Sequence, residues 1–174
     1  FMQMEDVYRI DQGIERYMTK TQKKTADFME GCMELGGLLG DWQEDEIIEL
    51  KKYGHALGMA FQITDDIMDY RETAETTGKP VGNDLREGLL TYPLLSIVND
   101  GNKDKLLEDI KGLNNGGNEQ DIIDYVIAQG GIDNTLAVAD KYCKDALAAL
   151  AAVRDFPGKE FLVMAVENLA DRKV

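Results

Sequence analysis

Three features of the sequence predict an all-α fold. Apolar residues recur at spacings of three and four, no stretch of useful length alternates apolar and polar residues as a half-buried strand does, and glycine or proline punctuates the helical segments. A chain of 174 residues is long enough to bury a sizeable core without disulfides, so residues 1–174 read as a single helical domain.

Residues 11–39 carry Ile14, Tyr17, Met18, Phe28, Cys32, Leu35 and Leu39 at helical spacing, with Asp11 placed to cap the segment and Glu15 in its first turn. Gly36, Gly37 and Gly40 then break the pattern. Asp41 is placed to cap a second, long helix over residues 43–71, whose apolar positions include Ile47, Leu50, Tyr53, Leu57, Phe61 and Met68. Its small residues Gly54, Gly58 and Ala60 would let another helix approach closely. Periodicity stops over residues 72–89, where Gly78, Pro80, Gly82 and Gly88 sit among polar residues, so a loop is expected. Connectors above about 12–15 residues are usually functional or disordered, and fixed-geometry residues favour the former. Helical patterns resume at 92–98 and 103–110, and Asn114-Asn115-Gly116-Gly117 reads as a turn. A further helix runs from Asn118 to Gly130-Gly131, another is capped by Asp133 and reaches Val153, and Pro157 opens a last one ending near Asp171.

The composition limits what such a bundle does. Hydrophobic residues make up 44% and charged residues 30%, and no apolar run approaches the roughly 20 residues of a membrane helix, which excludes an integral membrane segment. A net charge of −14 argues against nucleic acid as a partner, although an acidic protein still holds phosphates through bridging divalent cations. Cys32 and Cys143, without a CxxC spacing, suit a reducing cytoplasm. The opening Phe1-Met2-Gln3-Met4-Glu5 has neither an initiator methionine nor a signal segment, so the chain reads as a piece of a longer protein.

The sharpest local feature is Phe61-Gln62-Ile63-Thr64-Asp65-Asp66-Ile67-Met68-Asp69 in the long helix. Asp65 and Asp69 are one turn apart, Asp66 lies about 100° round from Asp65, and Gln62 is one turn earlier. Carboxylates held that close repel unless a cation intervenes, and magnesium, which takes oxygen ligands and keeps several waters, suits a sparse carboxylate helix. Asp-Asp-x-x-Asp alone fits an exposed acid patch equally well. The loop Gly78-Lys79-Pro80-Val81-Gly82-Asn83-Asp84-Leu85 shifts the balance, because it puts a lysine among glycines a short reach from the acids. Lys23-Lys24-Thr25 adds a cation and a hydroxyl, though such a run is by itself usually solvated surface. His55, the one histidine, is assigned no role, Trp42 reads as an anchor at the start of the long helix, and Gln43-Glu44-Asp45-Glu46 as a favourable acidic first turn.

Here the chain resembles the trans-type polyprenyl diphosphate synthases, and specifically the C-terminal part of their isoprenoid synthase helical bundle. The elements that carry the resemblance are Lys24-Thr25-Ala26, then Tyr53-Gly54 leading to Gly58-x-Ala60-Phe61-Gln62-Ile63-x-Asp65-Asp66-x-x-Asp69, which looks like the family's second aspartate-rich motif. Gly78-Lys79-Pro80-x-Gly82-x-Asp84-Leu85 and Thr91-x-Pro93 follow in the expected order, and Arg172 after an apolar helix resembles the family's C-terminus.

The resemblance implies a transferase that condenses isopentenyl diphosphate with an allylic diphosphate, magnesium stabilising charge on the leaving diphosphate. It implies Asp65, Asp66 and Asp69 as the metal site, Asp65 being the direct ligand. It gives Lys24, Gln62 and Lys79 as substrate-binding residues and Lys24, Thr25 and Gln62 as catalytic ones, with oxygen dipoles from Thr25 and Gln62 near the carbocation. The departing diphosphate, not a protein base, takes the proton. A homodimer or heterodimer is implied for the full-length form.

Two departures stand out. The family's other aspartate-rich motif and the basic residues that hold isopentenyl diphosphate have no counterpart in these 174 residues, so a chain lacking the N-terminal helices is expected to be inactive alone. Leu89 stands where some short-chain members carry a lysine, and the Gly-Lys-Pro loop looks like the medium- and long-chain type. The competing readings are a noncatalytic or regulatory helical subunit that pairs with a catalytic chain, and a terpene cyclase, against which the Gly78-Lys79 loop argues.

Overall fold

The structure, a computed structural model, describes residues 6–71 and 82–171, and all regular elements among them are helical. A 3-10 turn at Ile10–Gln12 leads into α1 (Gly13–Thr21), a π-helical turn (Gln22–Ala26) and α2 (Asp27–Leu39). The long helix α3 is Glu44–Arg71, followed among the described residues by the one-turn helices α4 (Asn83–Arg86) and α5 (Tyr92–Leu95). Then come α6 (Lys103–Gly112), α7 (Glu119–Ala128), α8 (Gly131–Ala151) and α9 (Lys159–Asp171). The expected all-α class and the long helix therefore stand.

Several helix boundaries differ from the expected ones. Asp11 lies inside the 3-10 turn, and α1 opens instead at Gly13, whose φ of 72° is open to glycine. Asp41 sits in the left-handed region with φ 57°, three residues before α3 begins. Asn83–Arg86 is a helical turn within the stretch expected to be loop. The helix expected over 92–98 ends at Leu95, where Ser96 Oγ donates to the Pro93 carbonyl at 2.9 Å. Asp133 is in the first turn of α8 and does not cap it, because α8 starts at Gly131. A Cβ at Gly131 would lie 2.5 Å from the Pro93 carbonyl oxygen, so the start of α8 depends on that close approach. Helix α9 begins two residues after Pro157, past Gly158 at φ 96°.

The chain divides into two compact units, one of Phe1–Lys20 with Asp65–Thr135, the other of Thr21–Thr64 with Leu136–Val174. In the second unit the core gathers Leu50, Tyr53, Ala56 and Ala60 of α3 with Cys143, Ala146 and Leu150 of α8 and Val166 and Leu169 of α9. Tyr53 is fully buried, its hydroxyl donates to the Leu162 carbonyl at 2.9 Å, and burial pushes its pKa up to about 12. The small residues of α3 act as expected. A Cβ at Gly54 would come within 2.6 Å of the Met29 carbonyl oxygen, and one at Gly58 within 2.6 Å of Ala26 Cα.

Trp42 does anchor the start of α3. Its ring meets Phe156 edge-on at 4.9 Å and lies under the Arg154 guanidinium at 4.5 Å. Glu46, expected only to favour a helix start, also accepts the Arg154 backbone N–H at 3.2 Å.

In the first unit Ile67 and Tyr70 of α3 are buried, as are Leu85, Leu94, Ile110, Ile123 and Val126. Tyr8 clamps the unit's edge, its N–H donating to the Gly88 carbonyl at 2.8 Å while its hydroxyl accepts from Asn114 Nδ2 at 2.6 Å.

Candidate functional site

The three aspartates of α3 have different surroundings because a helix turns about 100° per residue. Asp65 is exposed, Asp66 is 4% exposed and Asp69 is half-buried. Asp66 Oδ2 accepts a 2.5 Å hydrogen bond from the Tyr17 hydroxyl and a 3.4 Å one from the Tyr92 backbone N–H. The Tyr17 and Tyr92 rings meet at 5.6 Å, with planes inclined by 67°, and fix that donor pair.

Asp69 faces the turn at the start of α4. Its Oδ1 accepts from the Asn83 N–H and its Oδ2 from the Asp84 N–H, both at 3.1 Å, and its carbonyl accepts from the Gly82 N–H at 3.0 Å. A carboxylate reaching across some 14 residues thus caps a helical turn that no local residue caps. Burial holds the Asp69 carboxyl above the usual carboxylate range, opposed by the two amides and reinforced by the negative charges of Asp65 and Glu87. Among the described residues no hydrogen bond or ion pair engages Asp65. An exposed carboxylate has the oxygen-donor chemistry that a hard cation such as magnesium takes.

Lys24 and Thr25 sit in the π-helical turn, closed by the Asp27 N–H donating to the Gln22 carbonyl. Single π-turns inside α-helices are frequent at functional sites because the extra residue re-aims the side chains beside it. Lys24 is exposed and engages no ion pair among the described residues. Thr25 Oγ1 donates to Gln62 Oε1 at 3.1 Å, so these two residues, singled out together from the sequence, are in contact. Lys79 lies outside the described residues.

Some functional groups carry no sequence signal. Tyr17 reads only as an apolar helix position, and the Tyr92, Asn83 and Asp84 donors are backbone amides. His55 also has company: one ligand atom each of Asp27, Glu30 and His55 lies within 4.8 Å of the others, with His55 Nδ1 3.4 Å from Glu30 Oε2. Lys51 draws on the same acid, at 3.7 Å from Glu30 and 2.9 Å from Glu34. A groove of about 670 Å³ opens beside His55, lined also by Ile48, Lys52, Tyr142 and Asp145. No helix among the described residues is long and apolar enough to cross a membrane.

The polyprenyl synthetase family model matches residues 1–129. Heptaprenyl diphosphate synthase component 2 of Geobacillus stearothermophilus is 32% identical over 145 residues, covering 83% of this chain and 45% of that relative. Octaprenyl diphosphate synthase of Escherichia coli is 33% identical over 166 residues, covering 93% of this chain and 51% of the relative. In three dimensions the chain matches the crystal structure of heptaprenyl diphosphate synthase from Staphylococcus aureus with a TM-score of 0.85 and 28% identity, over 99% of this chain and 54% of that one. The chain therefore spans about half the length of the relatives it matches. Because the family model covers well over half of its residues and nearly all of it superposes on a solved prenyl synthase, the chain belongs to the polyprenyl synthetase family.

Proposed function

We propose that this chain supplies the second aspartate-rich half of an active site that condenses isopentenyl diphosphate with an allylic diphosphate. The observation that carries the proposal is the division of labour on α3, where Asp66 and Asp69 are engaged by protein donors and Asp65 is exposed and, among the described residues, unengaged. Asp65 would hold magnesium directly, while Asp66 and Asp69 fix the helix and the α4 turn around it. Magnesium, when bound, stabilises negative charge on the departing diphosphate. Lys24 and Lys79 bind the allylic diphosphate. Thr25 and Gln62, already hydrogen-bonded to each other, present neutral oxygens toward developing positive charge, and neither competes as a strong nucleophile. No side chain is needed as base, since the diphosphate can take the proton.

The chain spans about half of its relatives, and an aspartate-rich motif other than Asp65-Asp66-x-x-Asp69 is absent from its 174 residues. The remaining part of the site is therefore assigned to sequence outside residues 1–174, and the isolated chain to weak diphosphate binding with little turnover.

The test is a magnesium-dependent assay with isopentenyl and farnesyl diphosphates, run on protein of verified intact mass. A 19.4 kDa chain that forms no product yet binds inorganic pyrophosphate with magnesium, and loses that binding in Asp65→Ala, fits the proposal. Full turnover at that mass would overturn the requirement for the other aspartate-rich motif.

A further inference from the structure

Helix α2 is apolar on two opposite sides. One side packs in its own unit: a Cβ at Gly37 would meet Ile47 Cγ1 at 2.9 Å, and Met33 packs against the core that includes Leu50 and Tyr53. The other side holds Phe28, Cys32, Leu35 and Leu39, spaced by four, three and four residues and so aligned along one stripe. This stripe is bare. Phe28 is 72% exposed, Leu35 56% and Leu39 80%, Leu38 on its flank is 61% exposed, and Cys32 is exposed as well. An exposed apolar patch of this kind marks an interface.

The comparisons indicate what covers it. The S. aureus relative matches 99% of this chain with 54% of its own, so the rest of that relative is additional to everything here and is of nearly equal length. The E. coli and G. stearothermophilus relatives leave a similar surplus. We infer that the Phe28–Cys32–Leu35–Leu39 face of α2 is the seam on which the other helical half of a prenyl synthase docks, through an amphipathic helix with apolar residues at matching spacing. This rests on the proposed function, since the docked half is the one assigned the missing aspartate motif.

Cys32 reports on the seam directly, because the other cysteine, Cys143, is buried. The experiment compares the alkylation rate of Cys32 in the 174-residue chain with its rate in a single polypeptide that joins the unmatched half of the S. aureus relative to this chain. Docking slows alkylation by about tenfold or more in the joined protein, and Leu35→Glu restores the fast rate. Phe161→Glu, at a position 67% exposed on α9, leaves the protection intact.

The inference is overturned if Cys32 in the joined protein reacts as fast as in the chain alone, if Leu35→Glu has no more effect than Phe161→Glu, or if the joined protein does not fold. It is also overturned if sedimentation shows the chain alone forming a dimer that protects Cys32, since a second copy then owns the seam. Protection without prenyl product would refute the proposed function and leave the seam, whereas product with unprotected Cys32 would do the reverse.

Discussion

The Tyr17 hydroxyl lies 2.5 Å from Asp66 Oδ2 and donates its hydrogen to it, joining α1 to the middle of the aspartate motif. Asp66 is 4% exposed and Tyr17 4%, so water cannot replace the donor if it is removed. Tyr17→Phe deletes one hydroxyl and leaves the ring contact with Tyr92. A buried hydrogen bond to an acidic group is worth about 1.5–3 kcal/mol, and urea denaturation of this variant should show a loss of that order. A loss below about 0.5 kcal/mol would mean that Asp66 does not depend on Tyr17.

Asp65 and Asp69 should respond in opposite ways. Asp65 is exposed and unengaged among the described residues, so Asp65→Ala is expected to stay within about 0.5 kcal/mol of wild type in stability while removing magnesium-dependent pyrophosphate binding. Asp69 caps the Asn83 and Asp84 amides, so Asp69→Ala uncovers them and costs about 0.5–2 kcal/mol. Calorimetric binding and denaturation on the same two proteins separate the roles. Equal stability losses would refute the distinction.

The long helix and the aspartate motif could be read from the sequence because both are local patterns. The apolar spacing of α3 and the Asp65-Asp66-x-x-Asp69 run lie within one element, and Thr25 with Gln62 was found through a family pattern. Groups joined across long sequence gaps could not be read. Tyr17 and Asp66 are 49 residues apart, and Asp69 caps a turn 14 residues on, so the nearest sequence gives no hint that Asn83–Arg86 is helical. The same holds for Gly131, whose role depends on the distant Pro93 carbonyl. The π-turn at Gln22–Ala26 around Lys24 has no compositional mark, since it is a hydrogen-bonding pattern of the backbone.

Gly58 sets how closely α3 meets the π-turn. Replacing a helical glycine with alanine ordinarily gains up to about 1 kcal/mol of helix propensity. Here the new methyl would lie 2.6 Å from Ala26 Cα and 3.1 Å from its nitrogen, backbone atoms that cannot rotate away. Overpacking of this kind costs about 1–3 kcal/mol, so the sign reverses and Gly58→Ala should be destabilising in thermal denaturation. Gly31→Ala, with nothing within 4 Å of the added Cβ, is the matched control and should be neutral or stabilising. If both variants gain stability, the close approach at Gly58 is not real.

Asp6 gives the chain an acid limit. Its carboxylate is buried, with Arg16 Nε at 2.7 Å from Oδ1 and Lys20 Nζ at 3.3 Å from Oδ2. Burial alone would raise its pKa, but the hydrogen bonds and charges of Arg16 and Lys20 outweigh it and hold the group below the ordinary carboxylate range. A depressed folded-state pKa means that the unfolded chain binds the proton more readily. The stabilisation is therefore fully present above the unfolded value of about 4 and is lost as pH falls through the lower, folded one. Asp6→Asn should reduce stability at pH 7 and flatten the decline below about pH 4, as read from urea midpoints across pH 2.5–7. Arg16→Met should weaken the same dependence, because it removes the cation nearest to Asp6. A variant series in which the acid limb keeps its wild-type slope would place the proton uptake on other carboxylates.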